Sequence, residues 1–130
     1  MKKLFTLLAL IITFSMNAQM DDNSANNNSA GTNSVAMGNN TTASGNKTVA
    51  MGANTTASDY ASLVIGQFNS SGSSVTNNAT SYNTANTAFV IGNGTDSSNK
   101  SDAFKVMFNG DTTVSNDLTV SGDVVISSDA

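Results

Sequence analysis

No cysteine, histidine, arginine, glutamate, proline or tryptophan occurs in the sequence. Without cysteine, no disulfide can hold the chain together. Without histidine, cysteine or glutamate, neither a Ser-His-Asp nor a Cys-His arrangement can be assembled, and a His-based zinc site is excluded. The nine acidic residues are all aspartates, scattered singly apart from Asp21-Asp22. Paired-carboxylate catalysis needs two of them about 5–10 Å apart in a cleft, and their spacing gives no such pair. No catalytic residue, metal site or cofactor is therefore expected. Positive charge is scarce as well. Beyond Lys2 and Lys3 only Lys47, Lys100 and Lys105 stand against the nine aspartates. Phosphate backbones and anionic lipids both demand clustered positive charge, so nucleic acid and lipid surfaces are not expected partners.

The first residues are informative. Met1-Lys2-Lys3 is a short positive region, Leu4 to Phe14 an apolar run, and Ser15-Met16-Asn17-Ala18 a small-residue exit. That order predicts a secretory signal peptide over residues 1–18. The apolar run falls short of the roughly 20 residues that a membrane span needs, and no membrane anchor is expected within this chain.

Asn, Ser, Thr, Ala and Gly dominate the rest of the chain. Such a composition means either disorder or a solenoid of short strands and tight turns whose small residues stack. A repeat decides between them. Ser34-Val35-Ala36-Met37-Gly38 returns as Thr48-Val49-Ala50-Met51-Gly52 and again as Ser62-Leu63-Val64-Ile65-Gly66, at a constant interval of fourteen. The other half of the unit keeps register, with Thr41-Thr42-Ala43-Ser44 matched by Thr55-Thr56-Ala57-Ser58 and then Asn69-Ser70-Ser71-Gly72. A disordered tract has no reason to hold apolar residues in fixed register. The unit is degenerate at 76–87, returns at Ala88-Phe89-Val90-Ile91-Gly92 slightly early, and echoes at Ala103-Phe104-Lys105-Val106-Met107. An Asn-rich lead, 19–33, is expected to be flexible.

A unit of this length suits one coil of a β-solenoid: a five-residue apolar strand, a Gly-led corner, a short Thr/Ala strand and a polar corner. Alternation in a strand sends Val35 and Met37 one way and Ala36 the other. One face then lies near the coil's own interior and one against a neighbour. The expected repeat core is Val35, Met37, Val49, Met51, Leu63, Ile65, Phe89 and Ile91. Gly38, Gly52, Gly66 and Gly92 are expected where the chain turns, at positive φ or in close backbone approach. Coils this small cannot bury an apolar face alone, so lateral association of chains is predicted.

Val-Ala-Met-Gly followed by Thr-Thr-Ala-Ser resembles the head repeat of trimeric autotransporter adhesins (the YadA-like head), over about Ser34 to Gly72 and in part Ala88 to Gly92. The resemblance implies a left-handed parallel β-roll with one repeat per coil, a homotrimer, and binding to a cell surface, matrix or glycan ligand. The family's anchor barrel is not expected in this chain.

The C-terminal stretch, 93–130, reads differently. Asn109-Gly110-Asp111 is a hairpin or corner signal, and Val114, Leu118, Val120, Val124 and Ile126 alternate with polar residues. Thr119 to Val124 resembles the fibre segment before an endosialidase-type intramolecular chaperone domain of tail spikes. That family's motif opens with Ser-Asp, and Ser128-Asp129 matches it. Ser128 would be the self-cleavage serine, while the motif's later lysine has no counterpart here.

The remaining candidates have plainer readings. Gly92-Asn93-Gly94-Thr95-Asp96 meets a calcium-turn pattern once and incompletely, so a loop is expected. Thr41-Thr42 and Thr55-Thr56 point to opposite faces, which argues against an ice-binding ladder. Tyr60, Phe68 and Tyr82 are the expected exposed aromatics.

The sequence thus predicts an all-β solenoid with a short fibre-like β tail, exported to the cell surface, outer membrane or medium. It is expected to act without catalysis as an adhesin or fibre head. The alternatives are a tail-fibre segment assembled by a following chaperone domain, and a carbohydrate-acting spike whose active site lies elsewhere.

Overall fold

The computed structural model describes residues 26–127. The expected leader and Ser128 lie outside the described residues. Every regular element is a strand: β1 Val35–Asn39, β2 Thr42–Ala43, β3 Val49–Ala53, β4 Thr56–Ala57, β5 Leu63–Gln67, β6 Thr87–Asn93, β7 Asp102–Met107 and β8 Thr112–Val114. The fold is all-β.

Strands β1, β3, β5 and β6 stack in parallel, with Val35 opposite Val49 and Val49 opposite Leu63. Strands β2 and β4 stack in parallel in a second layer, with Thr42 opposite Thr56. The chain therefore returns to the same lateral place once per repeat, and each backbone bonds to its own equivalent one coil further on.

A finer repeat runs within the coil. Asn26, Asn33, Asn40, Lys47, Asn54, Ala61 and Phe68 all have left-handed backbone, with φ between 41° and 71°, at every seventh position. From Lys47 onward each corner turns its N–H onto the previous coil: Lys47 donates to the Thr32 carbonyl at 2.8 Å, Asn54 to Asn39 at 2.8 Å, Ala61 to Asn46 at 2.9 Å and Phe68 to Ala53 at 3.2 Å. Asparagine takes this conformation at little cost. At Lys47, Ala61 and Phe68 the stacking imposes it.

Each seven-residue half-coil opens with a small polar residue and places Ala or Val two positions later. Ser34, Thr41, Thr48, Thr55, Ser62 and Asn69 are buried, as are Ala36, Ala43, Ala50, Ala57 and Val64, with Val90 above them. The space between the layers admits methyl groups and little more. Alternation then turns Val35, Met37, Val49, Met51, Leu63, Ile65, Phe89 and Ile91 to the outside, where all are partly exposed. These eight positions, expected as repeat core, lie outside the chain's own interior. A buried CH₂ contributes about 0.8 kcal/mol, so an interior of four alanines and two valines stabilises a single chain only modestly.

The glycines enforce the stacking. Gly38, Gly52 and Gly66 have φ of 126°, 123° and 97°, and a Cβ on Gly38 or Gly52 would fall on the carbonyl oxygen of the next glycine in the column. Gly92 lacks the positive φ and is held by close approach instead, since a Cβ there would lie 2.6 Å from the Gln67 carbonyl oxygen.

Three segments differ from expectation. Residues 26–33, placed in the flexible lead, are seated on the first coil: Asn28 bridges Thr42, the Gly31 amide donates to Ala43 and the Ala36 amide to the Ser29 hydroxyl. At 76–87 there is no degenerate coil, because β6 stacks directly on β5 with Leu63 opposite Phe89. The residues between Gly72 and β6 form an insertion. Beyond β6 the sheet turns antiparallel, with β7 and β8 joined at the Asn109-Gly110-Asp111 hairpin. Residues 115–127 form no strand and are exposed.

Gly52→Ala should lower stability by about 2–4 kcal/mol, since it combines strained φ with displacement of the Gly66 carbonyl. Gly110→Ala, with φ of 95° and nothing within 4 Å of the added atom, should cost only about 1 kcal/mol. Urea unfolding of both variants measures the difference.

Candidate functional site

The first feature of the surface is the outer face of the six-stranded sheet, ordered β1-β3-β5-β6-β7-β8. Register aligns its apolar residues in two columns. Val35, Val49, Leu63, Phe89 and Val106 form one, and Met37, Met51, Ile65, Ile91, Phe104 and Val114 the other. The Phe89 and Phe104 rings meet edge to face with centroids 6.0 Å apart, which ties the parallel part of the face to the antiparallel part. Met51, Leu63 and Val114 are each more than a third exposed. In-register stacking makes such a stripe unavoidable: what one coil turns outward, every coil turns outward.

The second feature is the insertion, residues 73–86, which packs beside the lower coils. Its anchor is Asp59, which stands where the earlier coils have Gly31 and Gly45 and is fully buried. The carboxylate accepts the Thr76 amide at 2.6 Å on one oxygen, and the Thr87 amide at 2.8 Å and hydroxyl at 2.6 Å on the other. One side chain thus clamps both ends of the insertion. Asn86, also buried, donates to the Asn78 carbonyl and accepts the Asn78 amide. The Tyr60 amide donates to the Asn78 carbonyl and the Asn46 amide to Ala79, so the insertion bonds to two successive coils.

The top of the second layer has its own carboxylate. The Thr42 amide donates to the Thr55 carbonyl of the next coil. Ser70, two coils above Thr42, has no further coil to meet, and the Ser70 and Ser71 amides instead donate to the two oxygens of Asp102, each at 2.9 Å. Asp102 ends the ladder in place of backbone carbonyls.

The expected aromatics sit apart from one another. Tyr60 accepts a hydrogen bond from Lys47 Nζ at 2.8 Å, and the same ammonium lies 5.2 Å from its ring centre. Phe68 forms a left-handed corner. Tyr82, on the insertion, is 60% exposed and packs edge-on against Phe108. Asp96 closes the β6–β7 loop by accepting from the Ser98 and Asn99 amides and the Asn99 side chain. Among the described residues no three His, Cys, Asp or Glu side chains cluster as a metal site, and no helix is long and apolar enough to cross a membrane. Sequence reasoning missed Asp59 and Asp102. The only signal for Asp59 was a charged residue at a glycine position of the repeat.

The YadA head domain repeat matches the chain twice by its family model, at residues 29–55 and 43–69. The chain carries YadA-like head repeats. No curated protein and no solved structure matches it.

Asp59→Ala leaves the buried Thr87 amide and hydroxyl and the part-buried Thr76 amide without their acceptor, at about 2–4 kcal/mol. It should open residues 73–86 to limited proteolysis while the lower coils stay protected. At the β6–β7 loop, the Asn99 side chain first, then the Ser98 amide, hold the Asp96 carboxyl below the ordinary carboxylate range. A depressed carboxyl stabilises its loop above the ordinary value, and that stability is lost as pH falls through the folded value. Asn99→Ala should move the Asp96 midpoint up toward the ordinary value in an NMR acid titration.

Proposed function

We propose that this chain is the non-enzymatic head of an exported, surface-displayed adhesin or fibre. In this reading it is a left-handed parallel β-roll in which three chains pack side by side through the apolar outer face. The observation that carries the reading is that face, two in-register columns of Val, Met, Leu, Ile and Phe on a chain whose own interior holds little beyond alanine. Strand residues of this size need cover, and a homomeric interface supplies it with the same stripe from each copy. The repeats support the choice, because YadA-like adhesins are cell-surface proteins with heads that are normally trimeric.

The leader at 1–18 delivers the chain outside the cell. The repeats run to Gly92, and the segment 93–130 continues as a fibre tail. Leu118, Val124, Val125 and Ile126, all more than 60% exposed, are then covered by the neighbouring chains. The mechanism is presentation: a stiff column holds polar corners and the insertion outward for contact with a cell or surface. That exposed apolar tail also favours a second reading, a tail-fibre-like segment that reaches its final form only after trimers are assembled by a following self-cleaving domain starting at Ser128.

Sedimentation of the secreted chain should give a trimer. Replacing Met51 and Ile65 together with Asp buries charge in the contact and should weaken association by at least about 2 kcal/mol per site, giving monomers or aggregates. A monodisperse, folded monomer of the unaltered chain at micromolar concentration would refute the lateral-packing reading.

A further inference from the structure

The two layers of the coil are unequal in height. The second layer stops at the Asn69–Gly72 segment, where the Ser58 amide still donates to the Gly72 carbonyl. The first continues through β6, β7 and β8. Lys105 on β7 pairs with both Val90 and Thr113, so its side chain shares the side on which Val90 is buried, with no coil of the second layer opposite. The overhang leaves an open cleft of about 430 Å³, lined by Ser70, Lys100, Asp102, Lys105, Thr113 and Ser115. It lies across the sheet from the Phe104 and Val106 stripe.

Its charge is unusual for this chain. Of the three lysines beyond the leader, two line this one cleft. Lys47 is engaged with Tyr60, whereas the ammonium groups of Lys100 and Lys105 have neither a hydrogen bond nor an ion pair among the described residues. Asp102 lines the same cleft and keeps its negative charge while it accepts the Ser70 and Ser71 amides, so two lysines face one aspartate and the balance of the lining stays positive. Lys105 is half-buried, and partial removal from water strengthens a charged contact. Thr113 and Ser115 stand at the rim. The Ser115 hydroxyl donates to the Asp102 carbonyl, which leaves its lone pairs free to accept from a ligand.

We propose that this cleft binds an anionic sugar residue, one bearing a carboxylate or a sulfate. Lys100 and Lys105 meet the charged group, and Thr113 and Ser115 meet ring hydroxyls. The volume falls in the range of small-ligand sites, and the polar lining with two unpaired ammonium groups suits a hydrated, charged saccharide better than an apolar ligand. The proposal deepens the surface-presentation reading and rests on it, since a secreted head is what meets glycans.

Calorimetric titration of the full secreted chain with sialyllactose, sulfated lactose and plain lactose tests it. At least one charged sugar should bind and lactose should not. The one that binds identifies carboxylate or sulfate as the recognised group. The double variant K100Q/K105Q should bind about tenfold more weakly or worse, with unchanged circular dichroism and sedimentation, and K47Q should bind as the unaltered chain does. No binding of either charged sugar at millimolar concentration overturns the proposal, as does an equal loss in K47Q, which would mean general charge attraction. Attachment of displaying cells that survives K100Q/K105Q would remove the cleft from adhesion and leave presentation standing.

Discussion

Each backbone segment in this protein bonds to its equivalent in the next repeat, and that constant spacing governs the rest of the molecule. At the corner after each apolar strand the backbone conformation would drive a Cβ onto the carbonyl of the next coil, so that position is kept as the Gly38–Gly52–Gly66 column. Close stacking along the axis is accompanied by a narrow interior across it. Side chains buried within the coils are then mostly Ala, Ser and Thr, with larger ones admitted at Asp59, Val64, Asn69 and Val90. The larger apolar residues are turned outward, so a coil that is well bonded along its axis is left with an apolar side to cover. Axial hydrogen bonding and lateral association are two consequences of one geometry.

The irregular places are where polar side chains stand in for missing repeat structure. Asp59 replaces a corner glycine and anchors the insertion through three hydrogen bonds. Asp102 replaces the carbonyls of a coil that does not follow. Both use the same property, a carboxylate able to accept from two or three donors at once. Aspartates that look like scattered turn residues in the sequence are thus terminators of the hydrogen-bond ladder. Around them lie the features that distinguish this chain from a plain repeat, the Tyr82 insertion and the lysine cleft.

The period of the coil was fully legible, because Val-Ala-Met-Gly recurs at a fixed interval and the strands pair in that register. The half-period was not, because its left-handed corners are held by Asn, Lys, Ala and Phe, which share no sequence signal. The sidedness of the strand was visible as alternation, but not which side was interior. Val and Met look like core beside Ala, and only the width of the coil reverses the order. The segment 76–87 resembles a worn repeat because Asn69 to Gly72 keeps register before it. Nothing local shows that the chain leaves the coil after Gly72 and rejoins it at β6. The cleft brings Ser70 against Asp102, Lys105 and Thr113, which lie on distant strands and loops, so no local motif announces it.

The insertion separates two jobs that most loops combine. The coil below it ends at Gly72, the coil above it begins at Thr87, and the two meet across β5 and β6 whatever lies between. The closure is made by Asp59 at the base, leaving the tip around Tyr82 outside the strand ladder. Lengthening a loop whose ends are already held together costs little, about 0.6 kcal/mol for each doubling. The tip is therefore a natural grafting point. Foreign peptide or altered sequence placed there would be carried on a rigid column without disturbing its pitch, and related chains could diverge at this place while keeping the same scaffold.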